Sequence, residues 1–238
     1  MNIAVIFAGG TGQRMQSRTK PKQFLELHGK PIIIYTLEQF ENTDEINGIV
    51  VVCLKEWIDY CWKLIKKFGL TKVIDVIPGG ATGFQSRYKG LIRVHELYDT
   101  DAIILMHDGV RPLIDQETIL ADIECVKKNG SAITVSAASE TVAVKNEAGI
   151  IGEILDRSRC QLAKAPQCFY LGELLDAHER AMREGIEDCI DCAYLMQSQG
   201  YKVFSVEGNP ENIKITTPSD FYIFRAIVDA RENSQIFG

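Results

Sequence analysis

Apolar residues enter this chain as short unbroken runs and as spaced stripes, and the two textures alternate. Asn2 to Ala8 is a continuous run that ends in Gly9, Gly10 and Gly12, the mark of a strand buried on both faces and leading into a tight loop. Runs of the same kind fall at Gly48 to Cys53, Lys72 to Ile77, Asp101 to His107 and Ser131 to Ala137. Between them lie stretches with helical spacing, near Pro31 to Glu41, Lys55 to Phe68, Thr82 to Tyr98 and Asp115 to Lys128. This alternation predicts a doubly wound α/β fold around a mostly parallel sheet.

The texture changes over Glu140 to Leu155, where ETVAVKNEAGIIGEIL predicts two short strands around a polar Asn-Glu-Ala-Gly turn. With its flanks, 139–162, this segment reads as a projecting β-arm. A two-stranded ribbon cannot bury both faces alone, so a partner chain, and hence a homodimer, is expected. Beyond it the pattern predicts a strand at Ala165 to Tyr170, two helices between Leu171 and Gln199, and a strand at Lys202 to Val206. A final helix runs from about Thr217 to Arg231, with Pro218 in its first turn and Thr216 or Thr217 as cap. Without repeats or linkers, residues 1–238 read as a single domain.

Composition narrows the class. Hydrophobic residues at 46% and charged residues at 24% are ordinary for a globular protein, which speaks against long disordered tails. No apolar run approaches the ~20 residues of a membrane span, and the opening MNIAVIFAGG lacks the basic head of a signal peptide, so a cytoplasmic protein with no membrane partner is expected. Seven cysteines, an odd number scattered through amphipathic segments, fit free thiols. Cys189 and Cys192 form a CxxC, but no second pair or histidine pair accompanies it, so half-buried helix cysteines are the expectation rather than zinc ligands. A net charge of -6 gives no reason to expect nucleic acid as a partner, and phosphate chemistry would need a local basic cluster.

Such a cluster follows the first strand, in AGGTGQRMQSRTKPKQF, Ala8 to Phe24. Gly9, Gly10 and Gly12 leave backbone N–H groups open to an anionic ligand. A dinucleotide fingerprint would need a third glycine where Met15 stands, and a Walker A loop would need Gly-Lys where Gly12 is followed by Gln13. What remains is a glycine loop beside Arg14, Arg18, Lys20 and Lys22, four cations within nine residues. That clustering suits a triphosphate, whose charge grows on the bridging oxygen as the α–β bond breaks. Arg14 and Lys22 are the principal candidates, and Pro21 stiffens the presentation of Lys22. The plainer alternative is a solvated basic loop.

The pattern AGGTGQRM, then PKQF and HGKPIIIYTLEQF, resembles the cytidylyltransferases that act on 2-C-methyl-D-erythritol 4-phosphate or ribitol 5-phosphate. The resemblance continues through His107-Asp-Gly-Val-Arg-Pro112, Ala165-Pro-Gln167 and Asn212-Ile-Lys-Ile-Thr-Thr-Pro-Ser-Asp220, and so covers nearly the whole chain. It implies a Rossmann-like nucleotidyltransferase fold, a reaction that joins the CMP part of CTP to a small polyol phosphate with release of pyrophosphate, and Mg²⁺ as cofactor. Ala8, Gly9, Gly10, Thr11 and Gly12 would cradle the phosphates, while Gly79, Gly80 and Ser86 match the segment that holds cytosine and ribose. Lys214 corresponds to a lysine set against the phosphates; an isolated lysine in an apolar strand must in any case find a partner. Asp108 ends a predicted strand at the carboxyl edge where open α/β sheets bind ligands, and the resemblance gives it, with Arg111, to the metal or acceptor side. The alternative is an Asp108 that caps the next turn and pairs with Arg111. His107 reads as a packed strand-end residue, because an already ionised acceptor phosphate needs no strong base.

On the arm, Thr141, Asp156 and Arg157 resemble positions that receive the acceptor, in part across a dimer, and Arg157 could grip a phosphate bidentately. The valine of HDGVRP and the LKEWIDY stretch resemble the ribitol 5-phosphate enzymes more closely, which implies CDP-ribitol, a precursor of cell-wall teichoic acid or capsule. 2-C-Methyl-D-erythritol 4-phosphate, the acceptor of isoprenoid biosynthesis, is the alternative. Ala163-Lys-Ala-Pro-Gln departs from the Gln-Thr-Pro-Gln usual in both groups. From other classes, an NAD(P)-dependent reductase is opposed by the missing third glycine, and a non-catalytic nucleotide-binding regulator by the complement of cations with Asp108.

Overall fold

The first strand, β1, spans Asn2–Ala8 as its pattern predicts, with only Asn2 and Phe7 reaching intermediate exposure. It opens a computed structural model that describes residues 1–10 and 20–237, with side chains as far as residue 233. A small hairpin of β2 (Glu26–Leu27) and β3 (Lys30–Pro31) leads into α1 (Ile32–Glu41). Strand and helix then alternate through β4 (Gly48–Cys53), α2 (Ile58–Lys67), β5 (Val73–Pro78), α3 (Gly83–His95), β6 (Ile103–Asp108), α4 (Gln116–Asn129) and β7 (Ser131–Ala137). The arm consists of β8 (Ala143–Lys145) and β9 (Ile151–Ile154), paired antiparallel. The chain closes with β10 (Gln161–Tyr170), α5 (Leu171–Arg183), α6 (Cys192–Ser198), β11 (Ser205–Glu207) and α7 (Pro218–Phe237).

The seven-stranded sheet has the order β11-β7-β10-β6-β1-β4-β5. β1 runs parallel to β4 and β6, β4 to β5, and β11 to β7; β10 is antiparallel to both its neighbours. The exception has a cause in chain connectivity. Parallel neighbours need a crossover helix, whereas β7 reaches β10 through the arm alone and returns beside itself reversed.

One face of the sheet packs Ile6, Val51 and Leu105 against Leu37, Phe40, Ile65 and Ile123 from α1, α2 and α4. The other packs Val5, Val52 and Ile104 against Phe84, Leu91, Leu174 and Leu195 from α3, α5 and α6. A third cluster gathers Leu27, Ile32, Val110, Leu113, Ile215, Phe224 and Val228, and it seats α7 and the segment before it beside the end of β6. Phe224 is fully buried there, so truncation to alanine would cost roughly 3–5 kcal/mol and loosen that seat.

Caps set the helix boundaries. Thr82 accepts from the Gln85 N–H and Asp115 from the Thr118 N–H, while Gly130 ends α4 at φ 88°. Asp220 accepts from the N–H groups of Thr216 and Thr217, and its own N–H donates to the Thr217 hydroxyl, a reciprocal cap on α7. Three expectations need correction. The strand predicted over Ala165 to Tyr170 begins at Gln161, because pairing with β7 extends it. The strand at Lys202 to Val206 shortens to Ser205–Glu207, where β7 offers a ladder. The NIKIT segment is no strand: it finds no ladder partner and is held by one backbone bond, from the Ile215 N–H to the Val110 carbonyl at 2.9 Å, and by side chains. All seven cysteines are free; Cys189 lies in the loop before α6 and Cys192 opens that helix. Among the described residues no helix is long and apolar enough to cross a membrane.

Candidate functional site

Parallel pairing carries the ends of β1, β4, β5 and β6 to one edge of the sheet. Phe7 stands opposite Asp108, Ala8 opposite Cys53, and Cys53 opposite Pro78. The glycine loop, Gly79 and Asp108 therefore leave the sheet side by side, although they are far apart in sequence. Gly109 makes the first turn after β6: its N–H donates to the Phe7 carbonyl at 2.9 Å, and a Cβ there would lie 3.0 Å from that oxygen. Any larger residue would have to push that backbone oxygen aside by a few tenths of an ångström.

Asp108 is the electrostatic centre of this edge. Its Oδ1 accepts from Lys214 Nζ at 2.7 Å and its Oδ2 from Arg111 Nε at 2.8 Å. Burial alone would raise its pKa, but the charges and hydrogen bonds of Lys214 and Arg111 outweigh it and hold the carboxyl well below the usual range. Arg111 also donates from Nη1 to the Asn212 carbonyl at 3.0 Å. Lys214 is not the buried strand lysine expected: its side chain is 43% exposed, and it lies in the irregular segment before α7. It does find the partner that expectation required. His107 is packed against the Phe40 ring, and burial pushes its pKa down to about 3, as befits a strand-end core residue rather than a base.

Lys22 opens a 3-10 turn, Lys22–Phe24, anchored by fully buried Phe24, which packs against the rings of Trp57 and Tyr60. Its Nζ donates to the Ile215 carbonyl at 3.1 Å, and its Cε would sit 3.5 Å from a Cβ on Gly10. Gln23 donates to the Ala8 carbonyl and so ties this turn to the end of β1. Lys20 pairs with Glu26 at 3.0 Å. Arg14, Thr11 and Gly12, with Arg18, lie outside the described residues.

The structure also joins Gly79, Gly80 and Ser86. The Gly80 N–H donates to Ser86 Oγ at 3.0 Å, and Ser86 Oγ donates to the Thr82 carbonyl at 2.9 Å. A Cβ on Gly80 would meet Gln85 Cβ at 2.4 Å, so the loop over the start of α3 tolerates nothing larger. Thr141, Asp156 and Arg157 are not brought to the Asp108 cluster. They are exposed on the arm and its base, where Asp156 accepts from the Ser158 N–H and Arg157 donates to the Ser139 carbonyl at 3.0 Å.

Two residues at this edge were not singled out by sequence pattern. Lys164 Nζ donates to the Pro210 carbonyl at 2.9 Å, and Asn212, fully buried, donates from Nδ2 to the Ala165 carbonyl at 2.7 Å. The signal for both was available: Lys164 is the departure from the usual motif, and Asn212 opens the NIKIT motif.

A cation could be held here only in part by the protein. Asp108 offers an ionised oxygen donor of the type Mg²⁺ prefers, yet no trio of His, Cys, Asp or Glu gathers around it among the described residues. Oxygens of a bound triphosphate would have to complete such a shell.

Comparison with known proteins gives the family and agrees with the fold. The family described as IspD, 2-C-methyl-D-erythritol 4-phosphate cytidylyltransferase, matches over residues 2–230. A ribitol-5-phosphate cytidylyltransferase of Streptococcus agalactiae serotype V is 52% identical over 238 residues, covering 100% of this chain and 99% of its own. A 2-C-methyl-D-erythritol 4-phosphate cytidylyltransferase of Clostridium acetobutylicum is 36% identical over 93% of this chain and 95% of its own. Among solved structures, 4-diphosphocytidyl-2C-methyl-D-erythritol synthase from Anaerococcus prevotii superimposes with a TM-score of 0.82 at 26% identity, covering 96% of this chain and 98% of that one.

Proposed function

The chain belongs to the 2-C-methyl-D-erythritol 4-phosphate cytidylyltransferase family, and from that premise we propose that it transfers CMP from CTP to D-ribitol 5-phosphate, giving CDP-ribitol and pyrophosphate. That it is a CTP-dependent nucleotidyltransferase follows from the family itself. The observation that carries the choice of acceptor is the 52% identity, end to end, with the streptococcal ribitol-5-phosphate enzyme, against 36% for the clostridial methylerythritol enzyme.

In the proposed step an oxygen of the acceptor's phosphate attacks the α-phosphorus of CTP in line. The new P–O bond forms as the α–β bridging bond breaks, and its electron pair leaves on pyrophosphate. No proton need be removed from the acceptor, so nothing is required of His107, which is neutral and packed away. The work is to bring two anions together. Lys22 and Lys214, with Arg14 from the glycine loop, would offset their repulsion, and Asp108 would orient Lys214 and Arg111. Mg²⁺ held by Asp108 and the triphosphate would supply further charge neutralisation. Gly79, Gly80 and Ser86 are suited to the nucleoside, next to the glycine loop along the same edge.

The arm is assigned to a second copy of the chain. Val144, Ile150, Ile151, Ile154 and Leu162 are 45–66% exposed on it, and an isolated two-stranded ribbon is marginal in water. A homodimer that covers this surface could also carry Thr141 and Arg157 to the neighbouring site.

The test is pyrophosphate release from CTP with Mg²⁺ and either D-ribitol 5-phosphate or 2-C-methyl-D-erythritol 4-phosphate. A kcat/KM at least about tenfold higher for the pentitol is expected, a preference of roughly 1.4 kcal/mol. The opposite preference would assign the chain to the methylerythritol reaction, and no release with either would sink the proposal.

A further inference from the structure

Three cations from three separate parts of the chain donate to backbone carbonyls of one irregular stretch, residues 210–215: Lys164 to Pro210, Arg111 to Asn212 and Lys22 to Ile215. Lys164 is the one the reaction above does not use. Its position is dictated by β10. That strand runs antiparallel to β6 with Gln167 opposite Met106, so the chain traced back from Gln167 to Lys164 passes Asp108 and continues beyond the end of β6. A register shift against β7 between Ala163 and Gln167 releases this stretch from the ladder. Asn212 then links it to Arg111, donating to the Ala165 carbonyl while its own carbonyl accepts from the guanidinium.

The half-buried Lys164 ammonium thus rests on a neutral carbonyl, not on a carboxylate. Burial, and the Arg111 charge beside it, both lower its pKa, so the environment disfavours the cation as it stands. An anion would relieve both costs. A hydrogen bond from an ammonium to a phosphate oxygen is also stronger than one to a carbonyl, so a phosphate arriving here outcompetes Pro210.

Which phosphate is decided by sheet order. The glycine loop follows β1, and Gly79 follows β5, so the nucleotide half of the edge extends from β1 through β4 to β5. Lys164 stands on β10, on the opposite side of β6, and the arm springs from that same side between β7 and β10. We infer that Lys164 binds the phosphate of the acceptor together with Arg111, leaving the Pro210 carbonyl to do so, and that it is a determinant of acceptor affinity. The inference rests on the cytidylyl-transfer reading of the Asp108 edge.

The test uses the full-length protein and the variants Lys164→Gln and Lys164→Arg, with kcat and both KM values measured, and with inorganic phosphate as competitor against D-ribitol 5-phosphate. Lys164→Gln should raise the acceptor KM about tenfold or more, the loss expected for one charged hydrogen bond, and weaken competition by inorganic phosphate in parallel. The KM for CTP should stay within about twofold, and Lys164→Arg should recover most of the loss, since one charge is kept. An unchanged acceptor KM would overturn the inference. So would an equal rise in both KM values, which would make Lys164 only a tie for residues 210–215. Were the wild-type protein inactive with D-ribitol 5-phosphate, the acceptor reading alone would fail. Calorimetry of inorganic phosphate with the CTP-bound protein would still judge Lys164: the inference requires weaker binding in Lys164→Gln and is overturned by equal binding.

Discussion

Asp108 and Asp122 are two carboxylates set against the same sheet and treated in opposite ways. Asp108, at the end of β6, is surrounded by Arg111 and Lys214, and its pKa is held well below the usual range. Asp122, fully buried on α4, meets the Thr134 hydroxyl at 2.6 Å, and its Oδ1 has no hydrogen-bond partner among the described residues. Burial pushes its pKa up to about 7, against a smaller lowering by Thr134. The difference teaches where this fold places charge. At the sheet edge a carboxylate is kept ionised by cations that can also meet phosphates, whereas in the α4–β7 layer a carboxyl keeps its proton until the pH nears 7. Perturbation by burial is common to both, and only the first has an arrangement that chemistry can use.

The strongest challenge to that contrast is Lys22→Ala. If the edge cations serve the reaction and do not merely stabilise the edge, turnover falls about 10²-fold or more while the melting temperature hardly moves. Near-full turnover would remove Lys22 from the mechanism. Asp108→Asn comes next: with the counter-charge gone, Lys214 and Arg111 repel and lose their aim, and kcat/KM should drop about tenfold or more. Wild-type activity should show no titration of Asp108 at any pH above about 4, because the folded carboxyl is already ionised there. A group ionising near neutrality in the wild type and lost in Asp108→Asn would contradict this.

Asp122 carries the smaller, purely structural effects. Its folded pKa of about 7 lies above the ~3.9 of an unfolded aspartate, so between those values the folded chain retains a proton that the unfolded chain has lost. Stability contributed by this group is therefore present below about pH 4 and declines as pH rises toward 7, by at most about 1.4 kcal/mol per unit. Urea midpoints across that range should show the decline, and Asp122→Asn should flatten it without altering kcat; an unchanged slope would refute the assignment. Thr134→Val should lower stability by about 1 kcal/mol and extend the decline to higher pH, since the hydrogen bond that favours the ionised form is removed. The two carboxylates thus act in separate windows, Asp108 stabilising less as pH falls below about 4 and Asp122 less as pH rises above it.

Much of this molecule could be read from local pattern. β1, β4 and β7 occupy the predicted residues because a run apolar on both faces suits a strand of a sheet covered on both faces. The helix starts at Thr82 and Asp115 were legible from the spacing of apolar residues, and the structure makes both side chains caps that bond to the backbone three residues on. The arm was legible from its alternation around a turn. The candidates Gly10, Lys22, Asp108 and Lys214 were legible from residue type and motif, and the fold brings Gly10 to Lys22 and Asp108 to Lys214.

What sequence alone determined, then, is what depends on neighbours a few residues apart: the textures, the caps, the turn chemistry and the inventory of cations. The tertiary structure decided pairings across long separations. Lys214 meets Asp108 from 106 positions away, and Lys22 meets the Ile215 carbonyl from 193. It also reversed β10 and carried Lys164 past the end of β6, because a ladder is chosen by the strand that lies alongside, not by the strand's own composition. Electrostatic state follows the same rule: Asp108 and Asp122 are the same residue, and only the company each keeps in space makes one an anion and the other an acid.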